Sequence, residues 1–176
     1  IDHLGTIYQI IPQQPGRYWL HTGLGLRLFE ASSGELLPLP GVSAEDLELF
    51  DRYSGGYFAS GHFLYFYHRD AVYRYNTLSG NVSEITDQLK QLSYDNNVIF
   101  ISDLPGTNGG LLLTKPDELW LWQPDTGQSR LLYRHENYLP QSNRYADTVL
   151  IDKQNRLWVG MSGIGLLGFD LAKLEL

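Results

Sequence analysis

At 176 residues, with 43% hydrophobic and 13% aromatic content, the chain is long enough for one domain with a sizeable core. A net charge of −7, with 13 Lys and Arg and no basic cluster, argues against DNA, RNA or any other polyphosphate partner. The absence of Cys excludes disulfides, thiolate nucleophiles and Cys-ligated metal centres, and no apolar run approaches the length that spans a bilayer.

Taken in chain order, the predicted strands fall into four groups. The first is 6–12, 17–21, 25–30 and 35–39. A helix is predicted over 43–51, with Ser43 as its cap and Asp46 three residues on, its acids forming a solvated face. The second group is 57–60, 63–68, 71–76 and 81–85, and the third is 98–102, 110–115, 118–123 and 129–133. The fourth is 147–152, 156–161 and 165–170, with a last fragment at 174–176.

These groups are copies of one another. Phe29, Tyr75, Trp122 and Phe169 recur at spacings of 46, 47 and 47 residues. The first three open the same hairpin, each reaching a Gly five residues on: Gly34, Gly80 and Gly127. Such a turn needs a residue that tolerates positive φ. A period of this length, filled with short strands and Gly turns, predicts β-propeller blades. The second strands Phe63-Leu-Tyr-Phe-Tyr67 and Leu111-Leu-Leu113 are apolar on both faces, as blades stacked around an axis require. The fourth strands are polar, and Pro38 and Pro40 accompany one of them, which suits an outer edge. The reading is therefore all-β: one propeller region over 1–176, with repeats at about 1–41, 42–90, 91–138 and 139–176, the last incomplete. The start at Ile1 reads as part of a longer protein.

The fourth repeat carries Ile151-Asp-Lys-Gln-Asn-Arg-Leu-Trp-Val-Gly160, then Gly163-Ile-Gly-Leu166 and Phe169-Asp170. This resembles the two-component regulator propeller repeat: an Ile, an Asp, a turn with Gly or Asn, Leu-Trp-apolar-Gly-Thr, a Gly-Leu pair and an aromatic-Asp. The first repeat is a looser copy, with Tyr18-Trp19-Leu20 and Phe29-Glu30, and has His21 where Gly160 stands. The second and third replace the Trp step with Tyr65 and Leu112. In physical terms Trp158 is expected to fill the wedge between neighbouring blades, and Gly160, Gly163 and Gly165 to let backbones approach. The resemblance implies an extracytoplasmic sensor region of a bacterial signalling receptor, coupled across the membrane to a kinase, cyclase or DNA-binding output. It also implies a ring larger than four blades, completed elsewhere or by a second copy in a homodimer.

Ligands of such a fold sit where the hairpins between second and third strands meet the connections between repeats. The hairpin positions offer His21, His68, Arg69 and Lys115, donors for an anionic or polyhydroxyl ligand. The connection from third to fourth repeat adds Arg134, His135, Tyr138, Arg144 and Tyr145, a mix suited to sugar or carboxylate recognition by stacking and forked hydrogen bonds. Polar hairpin tips and Tyr rings capping a blade account for the same residues without function. No catalytic motif, metal-ligand spacing, phosphate loop or cofactor signature occurs, and the five His are far apart in sequence. The reading is a non-catalytic, periplasmic sensor module binding a small molecule or a protein partner, without cofactor or metal. A propeller lyase or glycosidase, whose acids would meet only in the fold, and a passive scaffold remain the alternatives.

Overall fold

The structure, a computed structural model, describes residues 4–52, 54–69, 71–90, 99–103, 110–114, 118–135, 146–161 and 164–174. Its strands form four separate antiparallel sheets, each built from consecutive strands in up-and-down order. The first sheet holds β1 (Ile7–Gln14), β2 (Arg17–Thr22), β3 (Gly25–Glu30) and β4 (Glu35–Leu37). The second holds β5 (Ser54–Ser60), β6 (Phe63–His68), β7 (Ala71–Asn76) and β8 (Val82–Glu84). The third holds β9 (Ile99–Asp103), β10 (Leu111–Thr114), β11 (Glu118–Trp122) and β12 (Ser129–Arg134). The fourth has β13 (Ala146–Ile151), β14 (Arg156–Met161) and β15 (Gly165–Asp170).

The chain divides into two compact units, 1–87 and 88–176, each with two sheets and a hydrophobic cluster of its own. In the first unit Trp19, Leu26 and Leu28 of the first sheet pack against Tyr57, Leu64, Phe66 and Tyr75 of the second. Trp19 meets Tyr75 edge-on, with ring centroids 6.0 Å apart. The expected wedge between sheets is thus filled by Trp19. In the second unit Leu112, Leu119 and Leu121 pack against Leu157, Val159 and Met161.

The hairpin at the repeated aromatic is the same three times over. The Gly34, Gly80 and Gly127 N–H groups donate to the carbonyls of Glu30, Asn76 and Gln123, at 2.9, 2.9 and 2.8 Å. All three glycines have positive φ, +72°, +81° and +70°. The hydroxyl residue just before each, Ser33, Ser79 or Thr126, accepts from the N–H two positions on. Both a hydroxyl and a glycine are therefore required by the turn.

Two expectations are corrected. The segment around 43–51 forms only a 3-10 turn at Asp46–Phe50. Ser43 Oγ does accept from the Asp46 N–H (3.0 Å) and donates to its carboxylate (2.7 Å), but Phe50 is drawn into the core one turn later and the helix goes no further. A five-residue helix, α1 (Thr86–Lys90), appears where none was predicted, because one turn leaves no periodic signal. Of the fragment expected at 174–176, residues 175 and 176 lie outside the described residues. A 3-10 turn at Leu171–Lys173, capped by Asp170, carries Leu174 into the second unit's core.

Trp158 also departs from expectation. It is half-buried, its indole N–H donating to Asp152 (2.8 Å) and its face under the Arg156 guanidinium (5.1 Å). Strand alternation puts Leu157 and Val159 in the core and turns Trp158 the other way. Gly168, its cross-strand partner, gives the ring room: a Cβ there would lie 2.8 Å from the indole.

Candidate functional site

The site is built by two elements of the first unit. One is the connection leaving the first sheet, where the Ser43–Asp46 lock and the buried Phe50 hold the turn at 46–50 against the second sheet. The other is the tight hairpin joining β6 to β7, where His68 pairs with Ala71. Between them lies an open cavity of about 400 Å³ lined by Glu45, Glu48, Leu49, His68, Arg69, Ala71 and Tyr73.

Two features of this hairpin depart from ordinary structure. Arg69 holds φ at +54°, a conformation that L side chains other than Asn and Asp rarely adopt. Such strain costs on the order of 1 kcal/mol or more and collects where a side chain must be aimed. His68 is buried, and its Nδ1 has no hydrogen-bond partner among the described residues, the Asp51 carboxylate standing 3.8 Å away. A buried polar atom without a partner is uncommon in folded proteins and calls for a reason. Tyr73 meets His68 edge-on, and burial, with the Glu84 charge second, pushes its phenol above the ordinary range, so it remains a neutral donor. The cavity is therefore lined by an Arg, an imidazole and a phenol together with two carboxylates.

Of the residues proposed from the sequence, His68 and Arg69 are brought together here. His21 lies outside the lining of this cavity. It is held between the rings of Tyr8 and Tyr57, at 5.3 and 5.1 Å, and burial lowers its pKa toward the neutral form. Thr22 beside it is a turn residue, donating to the Gly25 carbonyl and accepting from the Leu24 N–H. Arg134 clamps the buried Glu118 through Nε (2.8 Å) and Nη2 (2.6 Å), and Trp120 donates to the same carboxylate (2.7 Å). His135 stands edge-on to Tyr133. Lys115, Tyr138, Arg144 and Tyr145 lie outside the described residues.

Glu45, Glu48 and Tyr73 were not read as site residues. The two acids look like a solvated helix face in sequence, and only the fold-back of the connection over the next hairpin makes them a wall. Tyr73 carried no signal beyond its strand.

No family model matches the chain, and no curated protein matches it. Solved structures do. The extracellular domain assigned to a one component system from B. thetaiotaomicron superposes with a TM-score of 0.68 over 94% of this chain and 21% of that one, at 16% identity. The four sheets are β-propeller blades. A second extracellular domain from that organism, assigned to a hybrid two component system, gives 0.59 over 94% of this chain and 20% of its own, at 16% identity. PorZ, a surface component of the type-IX secretion system of Porphyromonas gingivalis, gives 0.59 over 97% and 20%, at 13% identity. At these identities the likeness is one of fold, and the blades described here span about a fifth of each of those chains.

Proposed function

We propose that these blades belong to an extracytoplasmic sensor of bacterial signalling, and that they take a neutral polyhydroxylated molecule of the carbohydrate class in the cavity at His68 and Arg69. The observation that carries this reading is that a donor set and two carboxylates line one small cavity. Glu45 and Glu48 would repel an anion and accept from hydroxyls, while Arg69 and Tyr73 donate to them and Tyr73 adds an aromatic surface. The strained Arg69 and the unpaired His68 Nδ1 support a site whose geometry is kept for a ligand. The similar extracellular domains of one and two component systems support the sensory and extracytoplasmic part of the reading.

The test separates binding from folding. In a panel of neutral mono- and oligosaccharides, one class raises the melting temperature saturably, as ligand binding to the native state must. Arg69→Gly removes the guanidinium and relieves the positive φ, so the variant melts at or above the parent without ligand and loses the ligand-induced rise. A panel without any saturable shift, or a variant that keeps the full shift, overturns the reading.

A further inference from the structure

The cavity at His68 and Arg69 is graded by burial. Its charged lining, Glu45, Glu48 and Arg69, is exposed, whereas Leu49, Ala71 and Tyr73 are half-buried and His68 is buried. Charge therefore lies at the rim and apolar surface toward the floor. Each wall brings the two kinds together: Leu49 follows Glu48 on the 3-10 turn, and Ala71 stands two positions after Arg69 on the hairpin. Leu49 and Tyr73 both pack against the hydrophobic cluster of this unit, which holds the floor in place.

Hydroxyls alone are poorly matched to such a lining. A hydroxyl that reaches the floor loses water there and gains no partner from Leu49 or Ala71. An acetamido group removes the mismatch. Its methyl covers apolar side chains, its carbonyl accepts from the half-buried Tyr73 phenol, and its N–H donates to a carboxylate of the rim. The group is also neutral, so it escapes both the repulsion that Glu45 and Glu48 exert on an anion and the repulsion that Arg69 exerts on a cation.

We propose that the ligand of this cavity is an N-acetylated amino sugar, its acetamido methyl seated on Leu49 and Ala71 and its carbonyl held by the Tyr73 hydroxyl. This deepens the carbohydrate reading and rests on it. Glu45, Glu48 and Arg69 then serve the ring hydroxyls. The methyl on the floor is worth about tenfold in affinity, the lower end of what one such group gives in an apolar pocket.

Isothermal titration of the chain with N-acetylglucosamine, N-acetylgalactosamine, glucose, galactose and glucosamine tests it. At least one N-acetylated sugar binds about tenfold or more tighter than its parent hexose. Tyr73→Phe keeps the ring and removes the donor to the carbonyl, and Ala71→Ser puts a hydroxyl on the floor. Each lowers that ratio about threefold or more. Both sugars of a pair meet the same protein, so the ratio separates recognition from any loss of stability, and circular dichroism checks that each variant folds. A saccharide without the acetamido group that binds as tightly overturns the proposal and leaves the carbohydrate reading standing. Tightest binding of glucosamine overturns it too, because capture of an ammonium by the acids would then decide affinity. So does a ratio that neither variant moves, which would put the acetamido group away from this floor. If no saccharide binds saturably, the carbohydrate reading falls and this inference falls with it.

Discussion

Asp152 closes the hairpin that leads into the central strand of the fourth blade. Its carboxylate accepts from the Trp158 indole (2.8 Å), from Arg156 Nε (2.7 Å), and from the backbone N–H groups of Gln154 (2.9 Å) and Arg156 (3.0 Å). The Trp158 hydrogen bond, and after it those from Arg156 and Gln154, hold its pKa at about 2 against an ordinary 3.8, although partial desolvation works the other way. The sign of the consequence follows from linkage. A carboxylate whose folded pKa is depressed stabilises the fold fully above its unfolded value and loses that contribution as pH falls toward the folded one. The difference in melting temperature between the parent and Asp152→Asn is therefore expected to be constant above about pH 4 and to shrink between there and pH 2. A difference that stays constant through that window would show that the carboxylate charge contributes nothing.

At the scale of the element, the repeated hairpin shows how equal turns come to differ in cost. Gly80 and Gly127 stand at one position of one turn, with φ of +81° and +70°. A Cβ on Gly127 would meet open space, whereas one on Gly80 would collide with the backbone of Gly41 in the connection leaving the first blade. Tyr75 Oη donates to the Pro40 carbonyl at 2.7 Å and fixes that connection in place, so the backbone cannot give way. Gly127→Ala is expected to cost about 1 to 2 kcal/mol for the left-handed conformation alone, and Gly80→Ala roughly 3 kcal/mol or more with the collision added. Urea unfolding of both variants decides it, and equal losses would mean that the connection moves aside. The turn itself was legible in the sequence, because both its glycine and its hydroxyl are dictated by local backbone geometry. The collision was not, since it joins residues 39 positions apart whose approach only the packing of two blades creates. Trp19 and Trp158 make the same point: the local Trp step is alike in both, and what covers each ring depends on the neighbouring sheet. The wall of the candidate site was hidden for a similar reason, because acids on a surface turn look solvated until a hairpin from the next blade is laid beside them.

At the scale of the whole molecule, a chain of similar sheets resembles other repeat proteins, in which stability is a sum of local contributions and neighbour contacts. Each unit draws its hydrophobic cluster from its own two blades, so damage to one cluster should stay local. Phe66 is the sharpest probe of the first. It is fully buried, with the rings of Phe50, Tyr57 and Tyr73 at 4.9, 5.1 and 5.6 Å. Phe66→Ala leaves a cavity among three rings and is expected to cost about 3 to 5 kcal/mol within that unit. Amide hydrogen exchange reads where the loss falls, because it reports the free energy of opening segment by segment. Amides of β2, β3, β6 and β7, the strands around the cavity, are expected to exchange faster by the factor that this loss implies. Those of β10, β11 and β14, which surround Leu112, Leu121 and Val159, are expected to keep the parent's rates. Equal acceleration across both sets would mean that the blades open as one cooperative body, and the energetic division between 1–87 and 88–176 would have to be given up.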